Sequence, residues 1–350
     1  MRLDDVVSRA NEITKELSSV VLGYEEESRL LLAALLANGH VLLEGVPGVA
    51  KTTMARALAR LLGLGEDLVK IGEVPYKGFS RIQFTPDLMP SDITGSLVFN
   101  PITREFEPKF GPVFAYVVLA DEINRAVPRT QSALLEAMQE RQVTIGGSTY
   151  PLEVRRKGKF FFVVATQNPV EQEGTYPLPE AQLDRFLMKI VVDYPRSLEV
   201  EKRIYRLHMD RITEPLEDLE PIVGPQWVVE AQEYIAKHVK VSEESLEYAT
   251  RIIRATRPSV FEPVARFFEL GASPRAGIAL IRAAKALAAL RGSEVVELED
   301  VETALFPVLN HRLMPSLERI VEEGLRGERH IARYKVIREG LEFVKKSVSL

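Results

Sequence analysis

A buried strand, a glycine-bearing turn and a helix that begins Lys-Thr leave a chain few folds to choose from. Here the apolar run His40-Val41-Leu42-Leu43-Glu44 reads as the strand, and Met54 to Leu62 reads as the helix. Between them lies Gly45-Val46-Pro47-Gly48-Val49-Ala50-Lys51-Thr52-Thr53. In such a turn the backbone N–H groups and the open helix N-terminus converge on one spot and favour an anion. Lys51 adds a full positive charge suited to β- and γ-phosphates, and the Thr52 hydroxyl is placed to ligate Mg²⁺. The usual pattern has glycine immediately before the lysine; Ala50 stands there instead, small enough to admit a close phosphate, with Gly48 as an extra flexible point.

A second stretch has the complementary chemistry. Ala115-Tyr116-Val117-Val118-Leu119-Ala120 is an apolar strand that ends in Asp121-Glu122. In parallel α/β sheets ligands bind at the carboxyl ends of the strands. Asp121 there can hold the Mg²⁺ shell, through water or with Thr52. Glu122 can orient a water and take its proton for attack on phosphorus. A third strand, Phe160 to Ala165, runs into Thr166-Gln167-Asn168-Pro169, where Asn168 either bonds the γ-phosphate or the attacking water, or initiates a turn. Leu187 to Val192 reads as the last strand. Arg185, just before it, is placed either to reach across a subunit boundary, as phosphoryl transfer favours, or to pair within the chain with Asp184 or a neighbouring acid. Val20-Val21-Leu22 either walls an adenine ring or packs helix on helix.

Around these motifs the apolar spacing predicts helices over residues 2–19, 25–38, 129–141 and 198–211, with a short strand at Leu68–Ile71 and another at Arg81–Thr85. Val98 to Phe106 reads as a hairpin, and Glu171 to Pro179 as a turn-rich loop. Arg155-Arg156-Lys157-Gly158-Lys159 reads as a basic bend at a solvated hairpin tip. The proline- and acid-rich stretch 195–225 includes the linker that makes the best domain boundary, and from Val228 onward the pattern is almost wholly helical. Ser273-Pro274-Arg275 reads as a helix start whose Arg275 either meets the nucleotide's phosphates or lies on the surface.

Composition narrows the function classes. The 350 residues are 46% hydrophobic and 27% charged, as in a soluble globular protein. With no cysteine, disulfides, thiolate metal sites and cysteine nucleophiles are excluded. The net charge of −5 gives no global basic field for nucleic acid. No apolar run approaches a membrane span and no secretory signal opens the chain, so the expected location is the cytoplasm.

Taken together these stretches resemble the MoxR family of AAA+ ATPases. The likeness rests on Gly45 to Thr52, Ile82 to Leu88 with Pro90 to Gly95, and Ala120 to Ala126 with Thr130 to Met138. It continues through Ala165 to Pro169, Glu171 to Phe186 and Gly271 to Ala276. The resemblance implies a P-loop core with a five-stranded parallel sheet in the order 5-1-4-3-2, flanked by helices, followed by an all-α lid. The α/β core is expected over 1–212, with a helix-2 insert at about 87–114 and a hairpin before sensor 1 at about 143–160. The lid is expected over 213–350. Gly45, Val46, Pro47, Gly48, Val49, Ala50, Lys51, Thr52 and Thr53 would form the Walker A loop, and Asp121 and Glu122 the Walker B pair. Asn168 would be sensor 1, Arg185 the arginine finger and Arg275 sensor 2. The implied ligand is ATP with Mg²⁺, and the implied activity ATP hydrolysis.

The resemblance further implies a homo-oligomer, a hexameric ring, that works like a chaperone, often on metal-cofactor enzymes, beside a partner with a von Willebrand factor A domain. The segment Gly63–Ser80 and the hairpin around Arg155–Lys159 look longer than the family's usual form. Two rival functions stay open on the sequence: an ATP-gated assembly scaffold with little turnover, and a helicase-like nucleic-acid motor, against which the net charge counts.

Overall fold

A computed structural model of the chain describes every residue except 66, 170–173, 196, 327, 328, 349 and 350. The reading of a turn-rich loop therefore lies outside the described residues at positions 171–173. Two compact units emerge, one of Ser8–Arg185 with Ile190–Gln232, the other of Met1–Val7, Phe186–Lys189 and Glu233–Leu350.

In the first unit, helices α1 (Leu3–Val20, its first turn counted with the other unit) and α2 (Glu25–Leu36) lead into β1 (Val41–Gly45) and α3 (Lys51–Leu61). Next come β2 (Leu68–Ile71), β3 (Val74–Gln83), the short α4 (Pro90–Thr94) and the hairpin β4 (Gly95–Asn100) with β5 (Glu105–Phe110). Strand β6 (Ala115–Asp121), α5 (Pro128–Glu140), the hairpin β7 (Gln142–Ile145) with β8 (Ser148–Pro151), and β9 (Phe162–Gln167) follow. The short α6 (Glu180–Leu183), β10 (Met188–Val192) and α7 (Leu198–Met209) complete the series.

The sheet order is β10-β1-β9-β6-β3-β2. Its first five strands reproduce the expected 5-1-4-3-2 arrangement. Strands β1, β9, β6 and β3 pair in parallel, and every residue of β1 and β6 is buried, which is why they read as unbroken apolar runs. The sixth strand accounts for the long Gly63–Ser80 segment: β2 turns back antiparallel along a β3 that begins earlier than its apolar residues suggest. The pairings Glu44 with Gln167, Ala120 with Ala165 and Gln83 with Asp121 bring the carboxyl ends of four strands to one edge.

The unit runs to Gln232, past the boundary expected at 212/213. Residues after α7 dock on the core instead of forming a free linker. Arg60 donates to Leu219 O at 2.7 Å, Ile222 N–H donates to Leu61 O at 2.8 Å, and Gln232 donates to Leu35 O at 2.8 Å. The basic bend is solvated at Arg156 and Lys157, as expected, but not at its ends: Lys159 is fully buried, and the half-buried Arg155 donates to Glu153 and Gln232.

The second unit is mainly helical, as its spacing predicts, but not all-α: Lys240–Val241 pairs with Val295–Val296 and Phe268–Leu270 with Met314–Pro315 in two short sheets whose pairing joins segments far apart in the chain. Its helices are α8 (Pro225–His238, its first half counted with the sheet), α9 (Glu243–Ala255), α10 (Pro274–Arg291), α11 (Leu298–Leu309), α12 (Leu317–Arg326) and α13 (Arg329–Val348). Ser242 caps α9 by accepting from Ser245 N–H at 3.1 Å. Helix α10 starts at Pro274 and stops at Gly292, whose φ of +90° suits glycine.

Candidate active site

The loop after β1 makes its anion cradle by alternating backbone handedness. Gly48 has φ +83° and Ala50 φ +57°, so the position where glycine is usual adopts a left-handed conformation that costs alanine about 1 kcal/mol. Helix α3 begins at the next residue, leaving its first N–H groups pointing into the loop. The Lys51 ammonium donates to Gly45 O and to Val46 O, the latter at 2.8 Å, which holds the side chain along the loop.

The acid pair is held by a single hydroxyl. Thr166 Oγ1, near the end of β9, donates to Asp121 Oδ1 at 2.6 Å and accepts from Glu122 N–H at 2.8 Å. Arg81 donates to Asp121 Oδ2, with Nε at 3.1 Å. Asp121 is 7% exposed, so these partners satisfy a nearly buried carboxylate. Glu122 has φ +56°, which swings it off the strand. Its Oε2 accepts from Gln83 Nε2 at 2.9 Å and pairs with Arg125 at 3.1 Å. Asn168 is buried, and its carbonyl accepts from Asn124 Nδ2 at 3.3 Å. Gln131, fully buried on α5, donates to Ile123 O and Tyr176 O and so ties the loops after Asp121 and after Asn168 together.

These groups open on a cleft of about 580 Å³ that lies wholly within the first unit. Val21, Leu22, Pro47, Gly48, Val49, Ala50, Lys51, Thr52, Thr53, Asp121, Glu122 and Asn168 line it together. Gly45 and Val46 sit behind the loop and contribute their carbonyls to Lys51. Arg185 does not line the cleft; its half-buried guanidinium has no hydrogen-bond or ion-pair partner among the described residues, so pairing with Asp184 is not what the structure adopts. Arg275 lies in the second unit, exposed in the first turn of α10.

The structure adds residues that motif reading passed over. Thr166 carries a signal in hindsight, a polar side chain at the end of an apolar strand. The cleft wall made by Tyr194 and by Ile204, Tyr205 and His208 of α7 has none, because only tertiary packing brings these residues there. Tyr24 also lines the cleft. Burial, together with the charges of Glu27, Asp193 and Glu201, pushes its hydroxyl up to about 12, so it stays protonated and donates to Asp193 O at 3.1 Å.

The donor set fits magnesium. Among the described residues no cluster of three or more His, Cys, Asp or Glu could hold a metal. A divalent ion here would rest on the Thr52 hydroxyl, Asp121 and phosphate oxygens, which is how Mg²⁺ is usually held and how tighter all-protein cages are not.

Comparison with known proteins agrees with this geometry. Residues 40–188 match the model of the ATPase family associated with various cellular activities (AAA), and residues 263–328 match the AAA lid domain. The chain is 42% identical to the uncharacterized protein YeaC of Bacillus subtilis (strain 168), over 98% of this chain and 96% of that protein. It is 42% identical to the chaperone MoxR1 of Mycobacterium tuberculosis, over 88% of this chain and 76% of that one. A crystal structure of a protein from Cytophaga hutchinsonii, provisionally described as an ATPase, shares 40% identity with a TM-score of 0.78, covering 96% of this chain and 95% of that one. No helix among the described residues is long and apolar enough to cross a membrane. By fold, by the two matched domains and by relatives aligned over most of their length, the chain belongs to the MoxR family of AAA+ ATPases.

Proposed function

We propose that the chain binds ATP with Mg²⁺ in this cleft and hydrolyses it to remodel a client protein. One observation carries the reading: Lys51, Thr52, Asp121, Glu122 and Asn168, drawn from three different strand ends, share one cleft. Lys51 and the loop N–H groups hold the phosphates, while Thr52 and Asp121 hold the ion. Mg²⁺, when bound, spreads the charge that builds on the phosphate oxygens. Glu122 orients a water and accepts its proton, and Asn168 fixes that water or the γ-phosphate by hydrogen bonding. Val21 and Leu22 face the base with apolar surface.

Arg185 acts on the cleft of a neighbouring copy. Its guanidinium lies outside its own cleft and has no partner among the described residues, which supports this role, and so does the gain that phosphoryl transfer takes from an arginine in trans. The assembly is accordingly a homo-oligomeric ring. Arg275, exposed at the start of α10, adds charge to the phosphates from the lid. Chaperone work on a client is supported by the name of the Mycobacterium tuberculosis relative, and metal-cofactor insertion is one form that work would take. The test is Glu122→Gln, measured for ATP turnover and ATP binding and then used as a client trap in pull-downs. Turnover is expected to fall by about 10²–10⁴ with binding kept. Turnover at the parent rate would remove Glu122 from the chemistry.

A further inference from the structure

The four residues that follow Arg185 are held by side chains from another part of the chain. Phe186–Lys189 groups with the helical unit, although the chain on either side of it belongs to the sheet unit. Three consecutive residues just past the end of α11 hold it. His311 Nε2 donates to Phe186 O at 3.1 Å. Arg312 donates to Phe186 O at 2.6 Å from Nη2 and to Leu187 O at 3.1 Å from Nη1. Asn310 Nδ2 donates to Lys189 O at 2.8 Å. The segment is buried throughout, and Asn310 and His311 are 0% and 2% exposed.

The clamp is rigid for physical reasons. A carbonyl only accepts, so His311 must carry its proton on Nε2. Burial, with the cations of Arg312 and Lys189 nearby, pushes the imidazole well below its ordinary range and keeps it neutral. Arg312 is braced in turn by Val308 O at the carboxyl end of α11, where a cation is favoured. Lys189 donates to Tyr334 OH at 3.3 Å, which fixes the far end of the segment. Lys189 lies on β10, an edge strand of the sheet, where a carbonyl can be open to such a donor.

We infer that Asn310, His311 and Arg312 are positioning residues for Arg185. They fix the backbone of the residues that follow the arginine, so this clamp sets where the guanidinium is presented to the neighbouring copy. This rests on the role proposed above for Arg185. A simple cover for a sheet edge would need no particular donor geometry at Phe186 O, and it would leave catalysis in the neighbouring cleft untouched.

The experiment is ATP turnover by the full chain, alone and in mixed assemblies. His311→Leu removes the donor, Asn310→Ala removes the second anchor, and Arg312→Lys keeps the charge while giving up the fork. Each is expected to lower kcat by roughly 10–100-fold with KM for ATP unchanged, the cost of a displaced catalytic group. His311→Gln, which offers an amide N–H at similar reach, is expected to keep most of the activity. Mixing each slow variant with an excess of Glu122→Gln chains supplies well-placed Arg185 beside intact clefts. Turnover per slow chain is then expected to rise at least about fivefold, a partial return of the arginine's contribution.

Parent-rate turnover in all three variants, or slow turnover that mixing does not restore, overturns the inference. Arg185→Ala runs in parallel. If it is slow and rescued by mixing while the clamp variants are not, the clamp fails and the role of Arg185 stands. If Arg185→Ala turns over at the parent rate, that role fails and takes the clamp with it.

Discussion

Two lysines mark the two ends of the same sheet, and both bond backbone carbonyls. At the carboxyl end, Lys51 lies along a loop whose N–H groups face an open cleft. At the amino end, Lys159 is fully buried and donates to Ala115 O at 2.9 Å and to Leu152 O and Phe160 O, each at 2.6 Å. The rings of Tyr76, Tyr116 and Phe161 face it at 4.9, 4.7 and 5.6 Å. Burial pushes Lys159 well below its ordinary range, and the three carbonyls and the ring faces offset that pull. The contrast separates a charge used for architecture, enclosed and matched donor for donor, from one used for chemistry, placed where a ligand can reach it.

That contrast can be tested from both sides. The largest effect is expected at the closed end. Lys159→Met leaves three buried carbonyls without a donor and should cost about 3 kcal/mol in urea unfolding, with KM for ATP unchanged in the folded fraction. A loss of ATP affinity with stability intact would reverse the assignment of the two lysines. At the open end, Thr166→Val removes the hydroxyl that joins Asp121 to Glu122. Turnover should fall about 30-fold while unfolding shifts by only about 1–2 kcal/mol.

His311 belongs with Lys159 as an enclosed group, and it adds a pH signature. Its pKa is depressed in the folded chain but ordinary, about 6.5, in the unfolded one. Below that pH the unfolded chain takes a proton that the folded chain refuses, so stability falls as pH drops. Between pH 7.5 and 5.5 the parent should lose about 1 kcal/mol more than His311→Gln, read from urea midpoints. An equal loss in both proteins would mean that the imidazole titrates freely when folded. The smallest effect is expected at Gln83, which shares Glu122 with Arg125. Gln83→Ala should raise basal turnover by no more than about threefold, since one of two groups competing for the carboxylate is gone. A drop beyond tenfold would make Gln83 a part of the chemistry.

The sequence shows the open end far better than the closed one. The Lys51 loop and the Asp121-Glu122 pair are contiguous, and each sits at the end of an apolar strand, so local pattern alone locates them. Asn168 is legible for the same reason. Lys159 is not, because its neighbours Arg155, Arg156 and Lys157 make it look like part of a solvated run, and only folding brings Ala115 O, Leu152 O and the rings of Tyr76 and Tyr116 around it. Strand β2 shows only as a short apolar run, and its antiparallel pairing with β3 cannot be read from it. The wall of the cleft from α7, and the grouping of Phe186–Lys189 with the helical unit, depend on contacts between residues far apart in the chain.

Everything assigned to the cleft depends on a triphosphate being held by the loop that carries Lys51. Calorimetric titration of ATP with Mg²⁺ into the parent and into Lys51→Met answers this. The parent should bind a single ATP per chain, and Lys51→Met should bind at least about 100-fold more weakly at an unchanged unfolding temperature. Equal affinity in the two proteins would place the nucleotide somewhere other than this cleft.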